Sequence, residues 1–153
     1  MKNKIVYYDS PVGLVEIQAD KDKIVSLDFK EEKCDQEAAN SVLLTAKKQL
    51  DQYFKGERKV FELPIKIEGT EFQESVWQQL LKISYGNTFA YKEVAEAIGN
   101  NKAYRAVGNA NNKNRIPIII PCHRVTASNG DLGGYGAGIW RKKWLLQHEK
   151  DNL

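Results

Sequence analysis

Residues 118–125 run Ile, Ile, Ile, Pro, Cys, His, Arg, Val, and Cys122 there is a nucleophile with a base, His123, directly after it. The thiolate is the attacking form of cysteine, and neighbouring cations favour it. His123 and Arg124 are expected to supply such a field. Pro121 removes a backbone donor and restricts the chain, which would fix Cys122 at the end of an apolar strand. The competing reading is an inert, buried thiol, since free cysteine is among the most buried residue types. Cys34, between Lys33 and Asp35 in a polar stretch, reads as an incidental surface thiol. Two cysteines and two histidines (His123 and His148) in unrelated settings make neither a disulfide framework nor a zinc site. No metal is expected, and a reducing compartment is the natural reading.

Those residues need a scaffold, and the chain is long enough for one. It has 153 residues, 42% apolar and 28% charged, which fits one globular domain or two small ones. The apolar run 116–121 contains Pro117 and Pro121 and is too short to span a membrane. The start has basic residues without a following apolar segment, so no signal peptide is expected. Net charge is +3, unevenly spread: residues 1–68 carry 12 Lys+Arg and 13 Asp+Glu, residues 69–153 carry 11 and 7. No acid lies between Glu96 and Asp131, whereas Lys102, Arg105, Lys113, Arg115 and Arg124 do. Such a stretch fits a polyanionic partner, or simply a solvated positive face.

The first third alternates as strands do. Segments 4–8, 12–19 and 24–29, with turn signals at 9–11 and 20–23, predict an antiparallel meander. Helical spacing of Ala38, Val42, Leu43, Ala46, Leu50, Tyr53 and Phe54 predicts a helix over 37–54, stopped at Lys55 and Gly56. The connecting segment 57–69 holds the expected domain boundary: 1–68 and 69–153. Thr70 and Gln73 form a capping box ahead of a stripe of Phe72, Val76, Trp77, Leu80 and Ile83. Short helices over 91–98 and 103–111, the second with Tyr104 and Val107 as core anchors, meet at a Gly/Asn turn and resemble a helix-turn-helix. A Gly-rich, hairpin-like stretch over 129–138 and a last helix over 139–149 complete the reading.

The string around Cys122 resembles the active-site signature of the O6-alkylguanine-DNA alkyltransferases. The likeness extends through Phe72, Gln73, Val76 and Trp77; Thr88 to Tyr91; Ala97 to Gly99; Arg105 to Ala110; Asn114; and Lys143, Trp144, Leu145, Leu146 and Glu149. It implies an α/β (α+β) fold: a small three-stranded antiparallel sheet plus helix, and a winged-helix-like, mainly helical domain with a helix-turn-helix. It also implies roles. Cys122 accepts the alkyl group; His123 is the general base, acting through a water; Glu149 orients and polarises the histidine; Asn114 bonds to the backbone and the water; Tyr91 protonates the departing base. A nucleophile with a base, and a base with an orienter, is the general pattern of such sites.

A stacked base must be extruded before it can react. By resemblance Arg105 fills the vacated place and Tyr91 meets the phosphate and the base. Ala103, Ala106, Gly108 and Ala110 leave the second helix slender enough for a minor groove, where sequence is poorly read; a small-residue packing face is the plain alternative. Lys102 and Arg124 are expected DNA contacts, and Pro117, Tyr135, Gly136 and Ala137 the base pocket. Many members carry serine where Gly136 stands. The expected partner is double-stranded DNA containing O6-alkylguanine, with no cofactor, no membrane and no obligate protein partner, for a cytoplasmic monomer. A lesion-binding protein without transfer is opposed by Cys122. A Cys–His–Glu hydrolase leaves the helix-turn-helix unexplained. A redox sensor would need Cys34 near Cys122.

Overall fold

The computed structural model describes residues 3–34 and 37–153; Met1 and Lys2 of the basic start, and Asp35 beside Cys34, lie outside them. The chain divides into two compact units, the first closing at Lys66 and the second running from Ile67 to Leu153. Among the described residues no helix is long and apolar enough to cross a membrane.

In the first unit β1 (Lys4–Ser10), β2 (Gly13–Asp20) and β3 (Lys23–Lys30) form an antiparallel meander in that order. The β1–β2 turn is held by Ser10, whose hydroxyl donates to Gly13 O at 2.7 Å and accepts from Val12 N at 3.1 Å. Alternation decides the buried face: Val6, Val15, Ile17 and Leu27 turn inward. Helix α1 (Ser41–Phe54) covers them with Leu43, Ala46, Leu50, Tyr53 and Phe54.

Helix α1 starts four residues later than the apolar spacing predicts. Asn40 caps it, accepting from Leu43 N at 3.0 Å, and an asparagine there outcompetes another helical turn. Ala38 N instead donates to Ile5 O at 2.9 Å, so this stretch lies along β1.

The second unit opens with α2 (Glu71–Leu80), whose capping box forms as read: Gln73 N donates to Thr70 Oγ1 and Thr70 N to Gln73 Oε1. Val76, Trp77 and Leu80 are buried, and Trp77 Nε1 donates to Ala110 O at 2.8 Å. Two-residue strands β4 (Phe89–Ala90) and β5 (Val125–Thr126) pair in parallel. Between them in sequence stand α3 (Tyr91–Ala97) and α4 (Tyr104–Asn112), packed on each other and on α2. Gly99, at φ 81°, makes the turn that separates them.

Three expectations change here. Tyr104 is no core anchor: it is 39% exposed, because the buried stripe of α4 runs through Val107, Ala110 and Asn111 while its first turn stands at the rim. The run 116–121 is not a strand. Ile120 N bonds back to Ile116 O at 2.9 Å and Ile118 takes φ 74°, a left-handed conformation costly for a β-branched residue. Residues 129–138 form a loop rather than a hairpin, with Gly130, Gly133 and Gly138 at positive φ, before α5 (Ile139–Asp151).

Candidate active site

Cys122–Arg124 form a single 3-10 turn after Pro121, and the coiled apolar run delivers Cys122 to a buried position, 4% exposed. Its backbone is held from several sides. Cys122 N donates to Ile120 O at 2.7 Å. Asn111 Nδ2, from α4, donates to Cys122 O at 3.2 Å. Asn114 spans the turn, donating to Ile120 O at 2.8 Å and accepting from Ile116 N at 3.0 Å.

Burial pushes the Cys122 thiol up to about 11; a hydrogen bond from Asn114 and the charge of Lys142 offset this only in part. The thiolate-favouring field expected from His123 and Arg124 is therefore not realised. Both side chains are turned to a carboxylate.

That carboxylate is Glu149, reached from the last turns of α5. His123 Nε2 meets Glu149 Oε2 at 2.5 Å. Arg124 Nε donates to Oε1 at 2.8 Å and Nη2 to Oε2 at 3.1 Å, while Nη1 donates to Ile83 O at 2.7 Å. Gly86 N adds a fourth donor to Oε1 at 3.1 Å. Burial opposes the charge on Glu149, but the hydrogen bond from His123 and the hydrogen bonds and charge of Arg124 outweigh it and hold the carboxyl well below the usual range. Burial lowers His123 despite Glu149, so the imidazole is neutral. With Nε2 donating to the carboxylate, Nδ1 carries the lone pair, and it is buried without a partner among the described residues. Arg124, 7% exposed, is thus an internal counter-ion and not the DNA contact its charge suggested. Three of its five N–H groups are committed to Glu149 and Ile83 inside the protein.

The remaining side of the sulfur is closed by α5 and the glycine loop. Lys142 is fully buried, and Nζ donates to Val125 O at 2.5 Å and Gly134 O at 3.1 Å. Burial brings its ammonium down to about 8, against the pull of Cys122. Tyr135 is buried; burial and then the Cys122 sulfur push its phenol well above the ordinary range. Tyr91 is raised by burial, eased by a backbone hydrogen bond at Gly134 and raised again by Cys122. Gly133, at φ 72°, lies so close to Tyr91 that a Cβ there would stand 2.6 Å from its hydroxyl. Pro117 and Ala137 are half-buried and Gly136 is exposed. A Cβ at Gly136 would meet Asn112 O at 3.4 Å, an ordinary contact, so the backbone there leaves room for a Cβ.

The structure therefore brings Cys122, His123, Glu149, Asn114, Tyr91 and Tyr135 to one place. Lys102, Arg105 and Ala106 stand exposed around the start of α4, with Ala103 half-buried. The other small residues of that helix pack inward: Gly108 faces the Tyr91 ring and Ala110 is buried. Two neighbours of the thiol were missed in the sequence, Lys142 and Asn111. Lys142 had a signal, because Lys142, Leu145 and Glu149 recur at helical spacing and share the buried face of α5. Among the described residues no group of His, Cys, Asp and Glu could hold a metal ion.

Comparison with known proteins agrees with this geometry. Residues 4–67 match the ribonuclease-like domain, and residues 71–151 the DNA-binding domain, of 6-O-methylguanine DNA methyltransferase. A methylated-DNA–protein-cysteine methyltransferase of Methanosarcina barkeri is 44% identical, over 97% of this chain and 99% of its own. The constitutive enzyme of that name from Bacillus subtilis is 42% identical, over 94% and 84%. Among solved structures, Mycobacterium tuberculosis OGT in complex with DNA superposes with a TM-score of 0.88 at 39% identity, covering 98% of this chain and 93% of that one. With both units matched and relatives of this identity along nearly the whole length, the chain belongs to the 6-O-methylguanine DNA methyltransferase family.

Proposed function

We propose that the protein repairs DNA by direct reversal, moving the alkyl group of O6-alkylguanine in duplex DNA onto its own Cys122, once per molecule. One observation carries this reading: a buried cysteine followed by a neutral histidine whose Nε2 is fixed on an ionised carboxylate and whose Nδ1 lone pair is open. Resting Cys122 is a thiol, so His123 Nδ1 takes its proton, through one water, as the sulfur attacks. Glu149 stabilises the imidazolium and holds the tautomer. The S–C bond forms as the C–O6 bond breaks. The electron pair left on the base is neutralised by a proton from Tyr91, whose phenol burial keeps protonated, and Lys142 offsets the negative charge that passes between Cys122 and Tyr91. The product is a thioether, which water does not cleave.

In this reading the second unit carries both chemistry and DNA contact. Lys102 and Arg105 meet the duplex, with Arg105 filling the gap left by the extruded base, and Pro117, Tyr135, Gly136 and Ala137 line the base pocket. O4-alkylthymine is a further candidate substrate. The protein would act where the DNA is, in the cytoplasm.

The test is to mix the protein with a duplex bearing one O6-methylguanine and map the modified peptide by mass spectrometry. One methyl per molecule on the Cys122 peptide, absent in Cys122→Ala, is the expected result. Binding of the duplex without transfer would reduce the protein to a lesion-recognition module.

A further inference from the structure

Tyr104 is a large aromatic side chain left 39% exposed on the first turn of α4, immediately before Arg105. The ammonium of Lys92, from the neighbouring helix α3, lies 5.8 Å from the centroid of its ring. Lys92 makes no ion pair among the described residues, so its charge is available to an outside anion. The adjacent acid, Glu93, is engaged with Ala90 N at 3.0 Å. No acid follows Glu96 until Asp131.

We propose that Tyr104 and Lys92 form a further DNA contact, gripping the strand that carries the lesion beside the mouth of the pocket. This rests on the transfer reading above. Successive residues of a helix point about 100° apart, so Tyr104 and Arg105 cannot enter the same base step. The Lys92 contact turns the tyrosine toward α3, the helix whose first residue, Tyr91, walls the pocket. The nucleotide that enters the pocket belongs to the strand crossing that side. An aromatic ring there packs on sugars and base faces without reading sequence, and an ammonium alongside pairs with a phosphate. A pair of this kind holds the strand on one side of the extruded nucleotide while Arg105 fills the stack.

The experiment uses the full chain, an undamaged duplex and the free base O6-benzylguanine. Binding to the duplex is followed by fluorescence anisotropy over a range of salt, and transfer from the free base by single-turnover kinetics. Tyr104→Ala is expected to weaken duplex binding by about fivefold or more, and Tyr104→Phe to bind as wild type does. Lys92→Gln is expected to reduce the slope of log K against log salt by about 1. All three are expected to keep the wild-type rate on the free base. Tyr104→Ala binding within about twofold of wild type would overturn the proposal and leave the transfer reading intact. A slower reaction of Tyr104→Ala with the free base would also overturn it, showing that the ring supports the pocket instead. Wild-type protein that neither binds the duplex nor reacts with the base would remove the transfer reading itself, and the proposal with it.

Discussion

Replacing Glu149 by glutamine tests the centre of the site with one atom changed. The carboxylate accepts from His123 Nε2, Arg124 Nε, Arg124 Nη2 and Gly86 N. Glutamine keeps one oxygen and turns an NH2 group toward donors that have no use for it. Arg124, at 7% exposure, is then an uncompensated charge. Breaking a buried pair from one side costs about 3 kcal/mol or more. For a chain of this length that lowers Tm by roughly 6–12 °C.

Acid dependence gives a second reading of the same change. The folded carboxyl titrates well below its ordinary 4.5, so its contribution is present above that value and is lost as pH falls below it. Glu149→Gln is expected to flatten that acid limb. Transfer slows by at least about tenfold, since His123 loses the group that fixes its tautomer. Differential scanning calorimetry between pH 3 and 7, together with single-turnover alkyl transfer, measures all three effects. A Tm within about 2 °C of wild type, with an unchanged acid limb, would refute the buried-network argument. In Arg124→Met/Glu149→Gln the two losses are expected to fall short of additive, because the orphaned charge is gone.

Other outcomes follow from the same geometry. His123→Ala is expected to cut the transfer rate by about 10²–10⁴ while leaving duplex binding, read by anisotropy, near wild type. Lys142→Met is expected to slow transfer at pH 7, where the ammonium is charged. Because Lys142 is depressed to about 8 in the fold, wild-type stability relative to this variant should rise between about pH 8 and the ordinary 10.5, which denaturant titrations across that window would show. Gly133→Ala forces a side chain onto φ 72° and into the Tyr91 hydroxyl; a loss of at least about 1 kcal/mol and slower transfer are expected, and a neutral result would contradict the close approach.

Much of the fold was legible because it rests on periodicity and caps. The meander alternates with period two, and Thr70 and Gln73 announce α2 three residues apart. The misreadings lie where a local hydrogen bond overrides the apolar pattern. Asn40 halts α1 against the pull of Ala38, and Ile118 coils where three isoleucines predict a strand. The roles assigned to Cys122, His123 and Glu149 came only from the motif as a whole. What the motif could not convey was the environment. Proximity in sequence placed two cations beside the thiol, but Arg124 and His123 both turn to Glu149, which is distant in sequence. Lys142, twenty residues from Cys122, supplies the positive charge instead. The exposure of Tyr104 was equally invisible, since the spacing 104, 107, 111 fits a buried stripe whose first member stands at the rim.

The Asn111 bond to the Cys122 carbonyl has a mechanical consequence. Asn111 lies on the same rigid helix that begins with Tyr104 and Arg105. In the proposed binding mode, a duplex pressing on the start of α4 would load a strut that ends on the backbone of the nucleophile. Grip and aim would then share one lever, because the helix that meets the duplex and the amide that steadies the nucleophile's backbone are one rigid piece.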